Sequence, residues 1–191
     1  MRVFVAVDVG DAVRREAARV ITALTGKLDA ATKPPKVTWV KPAAMHVTIK
    51  FIGEVDAARA DALASLLEPP FQIRPFDVQW RGIGSFPNNK QPRALWLGVT
   101  AGASALAAIE AEVSRRFAGS GAIEIEGRPL LPHLTLGRVK MAGEGVDWPR
   151  ILQACEVKQV VTRVERVVLF ESTLSQQGPH YTELIGSRLV G

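Results

Sequence analysis

The chain has one cysteine, Cys155, in 191 residues, so no disulfide can close within it and the fold does not depend on an oxidising compartment. Its setting among Ile151, Leu152 and Ala154 predicts a buried thiol acting as a small apolar group. Long apolar runs are also missing. No stretch approaches the length of a membrane span, so no membrane partner is expected. The opening residues 1–8 read as a short strand with no signal-peptide core or cleavage site, which leaves the cytoplasm as the default location. Histidine is scarce, with three copies, and no HExxH or CxxC cluster is present, which argues against a metal hydrolase. A GxSxG elbow and the glycine fingerprints of P-loop and dinucleotide folds are absent too.

What is present is a soluble globular composition, 47% apolar and 23% charged, long enough for one domain or two small lobes sharing a core. The net charge of +5 suggests a polyanionic partner, although charge alone barely favours nucleic acid over none.

Two short segments read almost alike: His46-Val47-Thr48-Ile49 and His133-Leu134-Thr135-Leu136. In a strand, residues i and i+2 share a face, so His46 and Thr48 point one way while Val47 and Ile49 point into a core. The second copy behaves likewise. Histidine exchanges protons near neutrality, and threonine donates a hydrogen bond to a phosphate oxygen without adding charge. Two such segments supply an acid/base pair suited to in-line displacement at phosphorus. All three histidines have threonine two residues on, although threonine fills ten positions of the 191. The third, His180-Tyr181-Thr182-Glu183, follows Gly178-Pro179 and carries Glu where the others are aliphatic, and reads as the start of a strand. A lone histidine is more often a satisfied or exposed residue than a catalyst; the matched pair favours the functional reading.

Around the motifs, residues 2–8 form a buried strand, and Asp11 is expected to cap a helix with Val13, Ala17, Val20, Ile21, Leu24 and Leu28 on its apolar face. Strands are expected at 37–40 and 45–52, and a second helix runs from a cap at Asp56 through Leu67. Residues 71–86 make one bent strand or two, and 94–99 another. A third helix over Leu106, Ile109, Val113 and Phe117 ends at Gly119. Pro132 leads into the second motif strand, 133–139. A short helix follows Asp147, residues 156–170 read as a long strand or bent hairpin, and 180–190 is the last strand. The order repeats with the motif, which predicts an internal duplication. Each half would form a small antiparallel sheet, with both histidines facing a central cleft.

The paired His-apolar-Thr-apolar segments resemble the 2H phosphoesterase superfamily, and within it the RNA 2′,3′-cyclic phosphodiesterases, also called bacterial 2′-5′ RNA ligase-like proteins. The likeness extends through Arg2-Val3-Phe4-Val5-Ala6-Val7, Lys50-Phe51-Ile52-Gly53-Glu54, Gly84-Ser85-Phe86-Pro87, Pro92-Arg93-Ala94-Leu95-Trp96, Arg128-Pro129-Leu130-Leu131-Pro132, Gly137-Arg138 and Gly178-Pro179-His180-Tyr181. It implies an α+β fold in one bilobal domain over residues 1–191, with duplicated antiparallel sheets, helices packed outside and a central cleft. It also implies hydrolysis of a terminal 2′,3′-cyclic phosphate to a 2′-phosphate with no metal and no cofactor; some relatives join or cleave a 2′-5′ linkage. By motif position, His46 would protonate the leaving 3′-oxygen, His133 would activate water, and Thr48 and Thr135 would hold the non-bridging oxygens. A functional arginine falls on Arg138, five residues after His133. Strict alternation puts Arg138 on the opposite face, so a twist or bulge would have to return it to the cleft. Lys50 shares parity with His46 and is a lesser candidate for lining the cleft. Trp39, Trp80, Trp96 and Trp148 could stack a base, with core packing expected for most.

The expected partner is RNA ending in a 2′,3′-cyclic phosphate, tRNA fragments included, bound by a monomer. Two alternatives remain: a non-catalytic RNA- or nucleotide-binding module, and a 2H enzyme acting on a small cyclic nucleotide. Convergence of the three scattered histidines on zinc is disfavoured.

Overall fold

The computed structural model describes residues 1–118, 130–175 and 178–191. Strand β1 (Arg2–Asp8) is followed by helix α1 (Gly10–Leu28), β2 (Lys36–Trp39), a short 3-10 turn (Pro42–Ala44), β3 (His46–Glu54) and α2 (Ala57–Leu67). Next come β4 (Phe76–Phe86), β5 (Ala94–Ala101), α3 (Ala103–Phe117), β6 (His133–Met141), α4 (Trp148–Gln153), β7 (Val160–Val164), β8 (Arg166–Ser175) and β9 (Gly178–Arg188). The strands form two antiparallel sheets. Sheet one has the order β3-β1-β8-β9, and sheet two the order β2-β6-β5-β4-β7.

The sheets do not follow the halves of the chain. Strand β2 leaves the first half to pair with β6, and β8 and β9 return from the second half to complete sheet one. The expectation of one sheet per half is therefore corrected. Residues 156–170 are likewise not a hairpin: β7 pairs with β4 in sheet two, whereas β8 pairs with β1 in sheet one. The Val-rich run could not reveal this, because partner choice is a long-range decision.

Helices cross as well. Helix α1 leaves sheet one to pack on β7, and α3 leaves sheet two to pack on β3. Helix α1 buries Val13, Ala17, Val20, Leu24 and Leu28, with Ile21 at the core's margin, as the three- and four-residue spacing requires. Asp11 does not cap it. The helix begins one residue earlier at Gly10, and Asp11 lies inside the first turn, paired with Arg14. Asp56 and Asp147 do cap α2 and α4, accepting from the backbone N–H of Arg59 and Arg150. The expected stop of α3 at Gly119 lies outside the described residues.

The apolar core runs continuously from Val3, Val5 and Val7 of β1 to Leu95, Leu97, Leu134 and Leu136 of sheet two. Cys155, Trp80 and Trp148 are buried in it. Among the described residues, no helix is long and apolar enough to cross a membrane.

Candidate active site

Strands β3 and β6 carry the two motifs and share a burial sequence over their first seven positions. In each, His and Thr are half-buried on one face, and the aliphatic residues Val47 and Ile49, or Leu134 and Leu136, are buried on the other. Both strands then bulge at the same place. Opposite β1, pairing jumps from Thr48 to Lys50 while the partner advances one residue. Opposite β5, it jumps from Thr135 to Gly137 in the same way. One extra residue reverses the alternation that follows.

The bulges decide two sequence expectations. Beyond Leu136, the phase shift leaves Arg138 exposed while Val139 turns to the core. Arg138 thus emerges on the His133 face. Gly137 permits this packing: a β-carbon there would lie 2.6 Å from the Trp39 ring. Lys50 meets the opposite outcome and does not line the cleft. The shift turns it inward, 9% exposed, with Nζ donating to Glu110 Oε1 of α3 at 2.8 Å. Phe51, the next residue, is turned outward instead and is 70% exposed. It stands five residues after His46, as Arg138 stands five after His133. Simple alternation concealed Phe51, and the shared offset was the signal that could have found it.

The histidines are held alike. His46 Nδ1 lies 2.9 Å from the Ala44 carbonyl, and His133 Nδ1 lies 2.7 Å from the Leu131 carbonyl. A carbonyl only accepts, so Nδ1 carries the proton in both rings. The Nε2 of each neutral ring is then left with its lone pair. His46 Nε2 lies 3.1 Å from Thr48 Oγ1, whose hydroxyl donates to it in that state.

Aromatic walls fix the rings. His46 packs at 4.8 Å from Phe4 and edge-on at 5.0 Å from Tyr181. His133 packs edge-on at 5.0 Å from Phe86 and at 6.5 Å from Trp96. Trp96 is thus the tryptophan that reaches the site, whereas Trp39 packs against the core. His180 is exposed on β9 and stands apart from these clusters; Tyr181 beside it is the residue that meets His46.

Burial lowers the His46 pKa below the ordinary 6.5, opposed by the Ala44 carbonyl and by the charge of Asp8, directly across on β1. Burial raises that of Tyr181, and the Arg138 guanidinium pulls it the other way. A charge on sheet two is therefore felt beside His46 on sheet one. Strands β3 and β6 also approach with Cα atoms within 8 Å. Among the described residues, no group of three His, Cys, Asp or Glu side chains is placed to hold a metal ion.

Two histidine rings with matched hydroxyls stand on the motif strands with an exposed guanidinium and an exposed aromatic, groups that can hold a phosphate joined to a ring-bearing group. The family model described as LigT like Phosphoesterase matches residues 12–96. The RNA 2′,3′-cyclic phosphodiesterase of Thermotoga maritima is 30% identical over 100% of this chain and 97% of its own length. That of Aquifex aeolicus is 33% identical over 75% of this chain and 77% of its own. The crystal structure of TT0787 from Thermus thermophilus superposes with a TM-score of 0.74 at 26% identity, covering 99% of this chain and 98% of that one. With the duplicated histidine strands, the shared two-sheet fold and relatives matched along its whole length, the chain belongs to the LigT-like, or 2H, phosphoesterases.

Proposed function

We propose that the protein hydrolyses the 2′,3′-cyclic phosphate at the 3′ end of RNA, leaving a 2′-phosphate, without a metal ion. The observation that carries this reading is the matched tethering of His46 and His133 through Nδ1, which leaves the lone pair of each neutral ring on Nε2, the atom that exchanges a proton. The names of these relatives support the substrate class.

In this mechanism His133 Nε2 takes a proton from water as the water oxygen attacks phosphorus. The bond from phosphorus to the 3′-oxygen breaks, and His46 Nε2 delivers a proton to that oxygen. Thr48 and Thr135 hold the non-bridging oxygens, and Arg138 offsets the charge that grows on them. The His46 role needs an imidazolium, whereas burial favours the neutral ring. The phosphodiester anion reverses that balance, since an adjacent negative charge stabilises the protonated form. Exposed Phe51 offers a face on which the terminal base stacks. If a 5′-hydroxyl of RNA replaces water, the same steps form a 2′-5′ linkage. The whole chain acts as one unit in this reading, because β8 and β9 complete the sheet that holds His46.

The test is incubation with a short RNA ending in a 2′,3′-cyclic phosphate, in the presence of EDTA, with the product resolved as 2′- or 3′-phosphate. A 2′-phosphate is expected. Tight binding without turnover would leave a binding module, and turnover confined to cyclic mononucleotides would leave a small-nucleotide enzyme.

A further inference from the structure

The excess positive charge of the chain is not shared between the sheets. The strands of sheet one carry Arg2, Lys50, Arg166 and Arg188 against Asp8, Glu54, Glu171 and Glu183, an even balance. Those of sheet two carry Lys36, Arg81, Arg138, Lys140 and Arg163 against Asp77 alone, and Asp77 is paired with Arg163. Strands β2, β6 and β5, which lie side by side, contain no acidic residue.

The cations are also aligned. Thr38 of β2 sits directly across from Arg138 of β6. Lys140 lies two residues beyond Arg138 and Lys36 two residues before Thr38. The pairing shifts by one residue here, with Lys140 the extra residue of β6. Yet Lys36, Thr38, Arg138 and Lys140 are all exposed while Val37 and Val139 between them pack on the core, which puts both lysines on the Arg138 side. Each step of two residues advances about 7 Å along the strand. Lys36, Arg138 and Lys140 are exposed, and none forms an ion pair with a described residue. Lysines left unpaired, pointing the same way and leading from His133, match a phosphate backbone more than a surface kept soluble by mixed charge.

We infer that sheet two bears a track for the RNA backbone. The chain 5′ of the reacting nucleotide leaves the cleft past Arg138 and runs over Lys140 and Lys36, and not across sheet one. The track rests on the proposed RNA substrate and adds a second contact region beyond the nucleotide being cleaved. It makes the protein prefer an oligonucleotide to a cyclic mononucleotide through binding, with the chemical step unaltered.

Binding tests the track independently of turnover. Fluorescence anisotropy would follow a labelled oligonucleotide ending in a 2′-phosphate, with a 2′-mononucleotide as competitor. The variants are K36Q/K140Q and, as a control of equal charge loss, R15Q/K27Q on the exposed face of α1. For K36Q/K140Q the oligonucleotide Kd rises about tenfold at low salt. The slope of log Kd against log salt falls by about 1.4, the value for two lost contacts to a single strand. The mononucleotide Kd stays within about twofold, and R15Q/K27Q changes neither. Equal weakening of both ligands, or a loss no larger than in R15Q/K27Q, would overturn the track. An active-site reading that fails leaves its own mark, a wild-type protein that binds the RNA through the lysines and never cleaves a cyclic phosphate.

Discussion

Phe51 and Arg138 hold the same position in two strands, five residues after the motif histidine and just past a bulge that turns each outward. The duplicated frame thus presents an aromatic face on one side and a guanidinium on the other. Phe51→Ala is expected to raise KM for a cyclic mononucleotide about tenfold, in line with the loss of one base stack. The urea midpoint should hardly move, because the ring is largely exposed. Arg138→Met is expected to act on kcat, lowering it by about a hundredfold, as removal of one transition-state donor does. A KM effect from Arg138 with kcat intact would place it with substrate binding alone.

His46→Ala and His133→Ala should each reduce turnover by about a hundredfold or more, the ordinary range for general acid–base catalysis. Steady-state kinetics on a cyclic mononucleotide, with circular dichroism to check the fold, decides this. Near-normal rates in both variants would remove the two-histidine mechanism.

His46 should titrate below 6.5, read from its ring nitrogens by NMR, with the proton of the neutral ring on Nδ1. Asp8→Asn removes a charge that favours the imidazolium and should lower the midpoint further. A bound 2′-phosphate should raise it. Because the folded ring holds its proton less tightly than the unfolded chain, burial of His46 costs no stability above about pH 6.5. The cost grows as pH falls from there towards the folded midpoint. His46→Gln should therefore flatten the decline of stability over that interval, as measured by urea unfolding at several pH values.

Lys50→Met should behave as a structural change. Its partner Glu110, held below the ordinary carboxylate range, would lose the ammonium that supports its charge, although its own burial pulls the other way. A loss of about 1–3 kcal/mol in urea unfolding at pH 7 is expected, with kcat unchanged. A drop in kcat without a drop in stability would return Lys50 to the reacting groups.

Much of the site is legible along the chain because its determinants are local. His46 with Thr48 and His133 with Thr135 fall on shared faces by the period of the strand, and their carbonyl tethers come from residues two positions away. Helix faces and the caps at Asp56 and Asp147 are local in the same sense. The tertiary structure decided what depends on partners distant in sequence. Register against β1 and β5 created the bulges, and the bulges sent Lys50 inward and Phe51 and Arg138 outward. Sheet membership separated β7 from β8 and moved β2 across to β6. Tyr181 meets His46 although β9 and β3 are opposite edges of sheet one, with β1 and β8 between them. Strand pairing is won by the packing of whole faces, and a single inserted residue inverts every side chain after it. The residue types for the chemistry are written in the sequence, and the surfaces they share are set by the pairing of its strands.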